Sequence, residues 1–138
     1  MEIERKVEPR TEAQRTAFGF FDALEGSRPM EELFSEDVVW TIWGDLPFSG
    51  THRGREAVMR DFHAVAGPLF ADDGRGKITV TNVLGDGQNV AIEFSHKNRT
   101  AVGRDYDNHY VEIFTVKGDL ITEVREYCDT AHLRAACY

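Results

Sequence analysis

Cysteine is scarce in this chain, and the scarcity closes two routes at once. Cys128 and Cys137 are the only two; they make no disulfide framework, and neither sits at metal-ligand spacing. Free thiols fit a reducing cytosol, so the expected compartment is cytoplasmic. Positive charge is also short. Lys and Arg number 16 against 24 Asp and Glu, a net charge of -8. Neutralising nucleic-acid phosphates takes a basic patch, so no nucleic acid is expected as partner. No apolar run approaches the roughly 20 residues that span a bilayer. The opening MEIERKVEPR is too charged for a signal peptide, and no membrane association is expected. The chain has no Gly-rich phosphate loop, no serine elbow and no His, Asp or Glu set at metal spacing. Neither a cofactor nor a metal is therefore expected. Repeats and low-complexity segments are absent as well.

What is there is an ordinary globular composition, 41% hydrophobic and 29% charged, over 138 residues. That is one domain with room for a real core. Residues 1–10 read as a flexible lead-in ending at Pro9, and 11–138 as the domain. Thr11-Glu12-Ala13-Gln14 has the form of a capping box. Ala17, Phe20, Phe21 and Leu24 follow at i, i+3, i+4 and i+7, which predicts a helix over 11–25. Gly26 stops it. Ser27-Arg28-Pro29 opens a short second helix with Met30, Leu33 and Phe34 inward. Residues 38–43 are β-branched and aromatic and predict a strand. Gly and Pro mark 44–54 as a loop. A third helix follows over 55–66, with Val58, Phe62 and Val65 inward.

The back half is different. Strands are predicted over 77–84, 88–98, 104–116 and 119–129, with turns at Gly85-Asp86-Gly87 and Lys117-Gly118-Asp119 and a last helical turn over 130–138. Period-2 alternation sorts the side chains by face. Val90, Ile92, Phe94 and His96 share one face. So do Asn108, Tyr110, Glu112, Phe114 and Val116, and so do Leu120, Thr122, Val124, Glu126 and Cys128. Helices in front and strands behind predict an α+β fold. Its expected form is a curved, mainly antiparallel sheet wrapped as a cone or barrel around three helices. Such a concavity is where small ligands bind. Glu112 and Glu126 stand out there, because carboxylates among bulky apolar residues must be paired, hydrogen-bonded or protonated.

Three stretches carry a family resemblance: Phe34-Ser35-Glu36-Asp37-Val38-Val39-Trp40, the Ser49–Val58 entry to the helix at 55–66, and Ile121–Thr130. Over about Thr11 to Thr130 the chain resembles the nuclear-transport-factor-2-like superfamily, in its SnoaL-like and ketosteroid-isomerase-like branch. That resemblance implies the cone fold, and it implies that Glu126, just before Tyr127, is the acid–base carboxylate. The family's neighbouring polar pair falls on Tyr110 and Glu112. The epoxide-hydrolase positions fall on Phe94, His96, Trp40 and Ile42, and the steroid-isomerase base falls on Ile42. These side chains suit neither of those two chemistries. In this superfamily a second subunit commonly covers the outer sheet face, which implies a homodimer.

Glu126, His96 and Glu112 are thus the candidate catalytic residues, and Tyr110, Asn108, Trp40, Phe94, Ile42 and Cys128 the candidate substrate-binding ones. The expected ligand is a small, apolar, oxygenated molecule in a hydrophobic pocket. Three functions remain open. One is cofactor-free proton transfer for cyclisation, isomerisation or dehydration. Another is ligand binding without turnover, with the glutamates as a satisfied internal pair. The third is epoxide-hydrolase-like chemistry with other water ligands. His96 reads as a proton shuttle or as a hydrogen-bonded strand-end histidine. His52 and His63 read as surface or helix-packing residues, and His109 as facing away from the pocket. His132 has no assigned role. Trp40, Trp43 and Phe48 read as a lid or as core packing.

Overall fold

A computed structural model describes residues 1–138. Helix α1, Glu12–Leu24, starts at its predicted cap. Thr11 Oγ1 accepts the Gln14 N–H at 3.1 Å. Gln14 Oε1 accepts the Arg10 N–H at 2.7 Å, so the return half of the box lands one residue before the cap. Phe18, Phe20 and Phe21 are buried against the sheet. Met30–Leu33 is a single 3-10 turn where a second helix was expected. Phe34, placed in that helix by its apolar character, instead begins strand β2, Phe34–Ile42.

The expected loop over 44–54 holds a second departure. It contains β3, Gly50–Arg53, an edge strand antiparallel to β2. Gly50, Thr51, His52 and Arg53 include no large apolar side chain, so there is no alternation to reveal the strand. Helix α2 runs over 55–66 in three pieces: α over Arg55–Ala57, π over Val58–His63, α over Ala64–Ala66. A π turn holds more residues than an α turn, so inward positions drift later. Val58 and Phe62 are buried as predicted, but Val65 is 44% exposed. Ala66 packs on the core in its place.

Strands β4, Lys77–Leu84, β5, Asn89–Arg99, β6, Asp105–Lys117, and β7, Leu120–Cys128, form the predicted antiparallel succession. Helix α3, Thr130–Cys137, follows; the Asp129 side chain caps it by accepting the His132 N–H at 3.1 Å. The three helices are therefore α1, α2 and α3. Along β7 the alternation slips once. Ile121, not Leu120 or Thr122, is buried on the inner side with Val124 and Glu126. A bulge between Thr115 and Val116 in the β6–β7 pairing accounts for the change of side.

The lead-in is also structured. Glu2–Arg5 is a strand, β1, parallel to β4. Its charges made it look frayed, yet they belong to an edge strand. Ile3 is buried, and Lys77 meets Glu4 at 2.9 Å. Arg5 reaches Asp22 of α1 and Glu25 at its C-cap at 2.8 and 2.7 Å. The full strand order is β1-β4-β5-β6-β7-β2-β3. The sheet curves but does not close, so it is a cone rather than a barrel, with β1 and β3 as its edges. Its inner face meets α1 through Phe20–Phe114 and Phe21–Phe94 contacts at 5.9 and 5.2 Å between ring centres. No helix is long and apolar enough to cross a membrane.

Candidate functional site

Register builds the site. Glu112 on β6 lies directly opposite Glu126 on β7. Ile42 of β2 flanks Glu126, and Ile92 of β5 flanks Glu112. One row across the sheet thus sets two carboxyls between two isoleucines. The next row along holds Phe94, Tyr110 and Cys128, and the one after it His96 and Asn108.

Both glutamates are buried, at 2% and 6% exposure. No cation acts on either. Burial pushes Glu112 well above the ordinary carboxyl range, and the nearby Glu126 charge adds to that. Burial lifts Glu126 to about 7, while Glu112 and the Trp40 indole pull it back down. The pair therefore holds protons to far higher pH than free carboxyls do. Glu112 Oε2 and Trp40 Nε1 are fully buried without a hydrogen bond of good geometry. Trp40's hold on Glu126 falls short of a full hydrogen bond.

A cavity of 580 Å³ opens beside the pair. Phe20, Phe48, Phe62, Phe70 and Phe94 give it an apolar wall, and Glu112, Glu126, His96 and Tyr110 supply its polar groups. Exposed Pro68, Asp72 and Gly74 mark its rim. Five of the expected site residues thus converge: Glu126, Glu112, His96, Tyr110 and Phe94. Four do not line it. Trp40 and Ile42 are fully buried behind the carboxyl row. Asn108 is turned onto the strand end, where it bonds the Asp129 backbone. Cys128 is half-buried opposite Tyr110, its thiol pushed up to about 12 by burial.

His96 departs from a shuttle. Burial draws its pKa down to about 4, so the imidazole is neutral near pH 7. Its Nε2 meets Asn98 Nδ2 at 3.3 Å. His63, expected as a surface or helix-packing residue, lines the cavity. Its ring stands edge-on to Trp40 at 4.6 Å and stacks on Phe34 at 6.1 Å. Burial lowers its pKa to about 4 as well. The π turn is the cause, because it brings both Phe62 and His63 to the cavity; a sequence period of 3.6 carries no sign of it. His52 bonds the Phe48 carbonyl at 2.8 Å, away from the cavity. His109 is exposed on the outer face, and His132 accepts the Asp107 N–H at 3.1 Å. No lid forms from Trp40, Trp43 and Phe48, since Trp43 is 50% exposed beside Tyr127. No group of three or more His, Cys, Asp or Glu is gathered closely enough to hold a metal.

Solved structures share this architecture along nearly the whole chain. An NTF2-like protein from Burkholderia xenovorans LB400 is 24% identical, with a TM-score of 0.74 over 95% of this chain and 100% of its own. A candidate SnoaL-like polyketide cyclase from Jannaschia sp. CCS1 is 19% identical, with a TM-score of 0.76 over 96% and 95%. TerC, co-crystallised with polyporic acid, is 18% identical, with a TM-score of 0.71 over 94% and 98%. At such identities the likeness shows the fold alone. No curated protein sequence matches the chain. The family model of the SnoaL-like domain matches residues 19–124, from within α1 to the middle of β7, and the chain belongs to that family.

Proposed function

We propose that this chain is a cofactor-independent acid–base enzyme of SnoaL-like type. It would cyclise, isomerise or dehydrate an apolar, oxygenated small molecule held in the cavity. The Glu112–Glu126 pair carries the proposal: two facing carboxyls, buried without a cation, on the wall of an apolar cavity. A group that titrates near 7 is populated in both forms at neutral pH, so it can take a proton and return it. Glu126 would move the proton at carbon next to a carbonyl. Burial keeps Glu126 from ionising too readily, while Glu112, protonated, tempers that rise by hydrogen-bonding its carboxylate. Neutral His96 contributes a hydrogen-bonding wall rather than a charge. The candidate cyclase and the TerC complex, which share the fold, support a small-molecule ligand.

The test is exchange of α-protons for deuterium in a panel of enolisable cyclic ketones, followed by NMR. Glu126→Gln keeps the shape and removes the titration. It should cut exchange by about 10²–10⁴-fold and leave ketone affinity nearly unchanged. No exchange above buffer by the wild type, together with ordinary carboxyl titrations of both glutamates, would leave a binding protein.

We also propose that a second copy of the chain covers the outer sheet face. Val111 and Ile113 are only half-buried there. Trp43 and Tyr127 are 50% and 41% exposed, with ring centres 6.0 Å apart. Apolar surface gathered in this way marks an association site.

A further inference from the structure

The polar groups beside the carboxyl row form a chain whose direction can be read from its far end. Asn108 is 2% exposed. Its Oδ1 accepts the N–H of His109 at 2.8 Å and that of Asp129 at 3.2 Å. Backbone N–H groups only donate, so the atom they meet must be the amide oxygen. Nδ2 therefore faces the other way with two protons to give. One goes to the Asp129 carbonyl at 3.0 Å, and the other to the Tyr106 hydroxyl oxygen at 2.8 Å. Tyr106 is 2% exposed and has one further polar neighbour, the Tyr110 hydroxyl. Having accepted from Asn108, Tyr106 turns its own proton to the Tyr110 oxygen. The opposite order would strand the Tyr106 proton in a buried place with no acceptor. The Tyr110 proton is then left over. It has no acceptor in the protein, and Tyr110 lines the cavity.

We infer that Asn108 and Tyr106 set Tyr110 as a one-way hydrogen-bond donor, so the cavity selects ligands that present a bare acceptor oxygen, a ketone or quinone-type carbonyl, to Tyr110. Asn108 and Tyr106 are positioning residues; only Tyr110 meets the ligand. Burial raises the pKa of both tyrosines, so both protons are in place at neutral pH. This selectivity rests on the cavity being the ligand site proposed above, but it needs no turnover.

Three bicyclic probes of similar size test it in NMR titrations of the whole chain: 1-indanone, which only accepts, indole, which only donates, and indane, which does neither. The wild type should prefer indanone to indane by about two- to tenfold, the usual worth of one net hydrogen bond. Tyr110→Phe keeps the ring stacked on Phe94 at 4.9 Å and should erase that preference. Asn108→Asp should reverse the chain. The new carboxylate accepts from Tyr106, Tyr106 accepts from Tyr110, and Tyr110 becomes an acceptor. Indanone should then lose its advantage over indane, and indole should gain. Tyr106→Phe leaves the Tyr110 proton free and should keep the preference. A purely structural role would move all three affinities together and leave their ratios unchanged. An unchanged indanone-to-indane ratio in folded Tyr110→Phe overturns the inference, even where Asn108→Asp fails to fold. So does absence of binding by all three probes. Equal ratios combined with α-proton exchange would overturn this selectivity alone and leave the acid–base proposal standing.

Discussion

Glu112 and Glu126 make the sharpest test at the scale of single residues. Unfolded, each titrates near its ordinary 4.5; in the fold Glu126 holds its proton to about 7, and burial beside the Glu126 charge raises Glu112 well above its ordinary range. The folded chain binds more protons across that interval. The pair's contribution to stability is thus fully present below about 4.5 and is lost as pH rises through about 7. His63 and His96 act in the other direction. Their pKa falls from 6.5 to about 4, so their contribution is present above 6.5 and is lost as pH falls toward 4. Glu126→Gln removes the Glu126 part of the first effect. The stability of the wild type relative to this variant should decline between pH 4.5 and 7 by roughly 3 kcal/mol, at about 1.4 kcal/mol per unit of displaced pKa. Denaturant melts of both proteins across that range measure it, and a flat difference would mean that the pair titrates ordinarily.

At the scale of elements, the β4–β5 turn is held by one glycine. Gly85 has φ +113°, and a Cβ there would lie 2.1 Å from the Asn89 carbonyl oxygen. Its own carbonyl accepts Gln14 Nε2 at 2.7 Å, which ties the hairpin to α1. Gly85→Ala combines a disfavoured backbone with a backbone clash, and should cost about 2 kcal/mol or more. Gly87→Ala, two residues on, meets open space and should be close to neutral. Thermal melts of the two variants separate these outcomes; equal melting points would show that the turn relaxes. Strand β1 depends on α1 in a similar way, through Arg5. Arg5→Ala should loosen it, with faster amide exchange at Glu2 and Lys6, whose N–H groups bond the Gly76 and Val80 carbonyls at 2.9 Å.

For the molecule as a whole, the curved sheet has two faces and only one set of helices. The inner face meets α1 and α2, while the outer face leaves Val111, Ile113, Trp43 and Tyr127 without cover in one chain. With a second copy in place, light scattering at micromolar concentration should give twice the chain mass of 15.6 kDa. Tyr127→Glu puts a charge into that contact and should shift the mass to one chain without changing the fold. A wild-type monomer at that concentration would count against the interface.

The sequence by itself determined which side of the sheet each residue of β5 and β6 takes, because alternation is local and has a period of two. It also determined where α1 begins and that a helical turn follows β7, because caps are short-range: Thr11 and Asp129 each accept the N–H three residues on. Phe94 and His96 of β5, Tyr110 and Glu112 of β6 and Glu126 of β7 were legible for the same reason, whereas Asn98 was not singled out and Asn108 and Cys128 do not line the cavity. Pairing was not. Carried on unbroken, the Val116–Ile121 pairing would set Glu112 opposite Arg125. The bulge adds one residue to β7, and Glu112 meets Glu126. One inserted residue in a ladder leaves no mark on local periodicity, yet it decides whether a buried carboxyl faces a cation or another carboxyl. The π turn that carries His63 to the cavity, and the strand end that draws Asn108 away from it, were settled in the same manner. Each depends on contacts between distant segments, and only the packed chain brings those segments together.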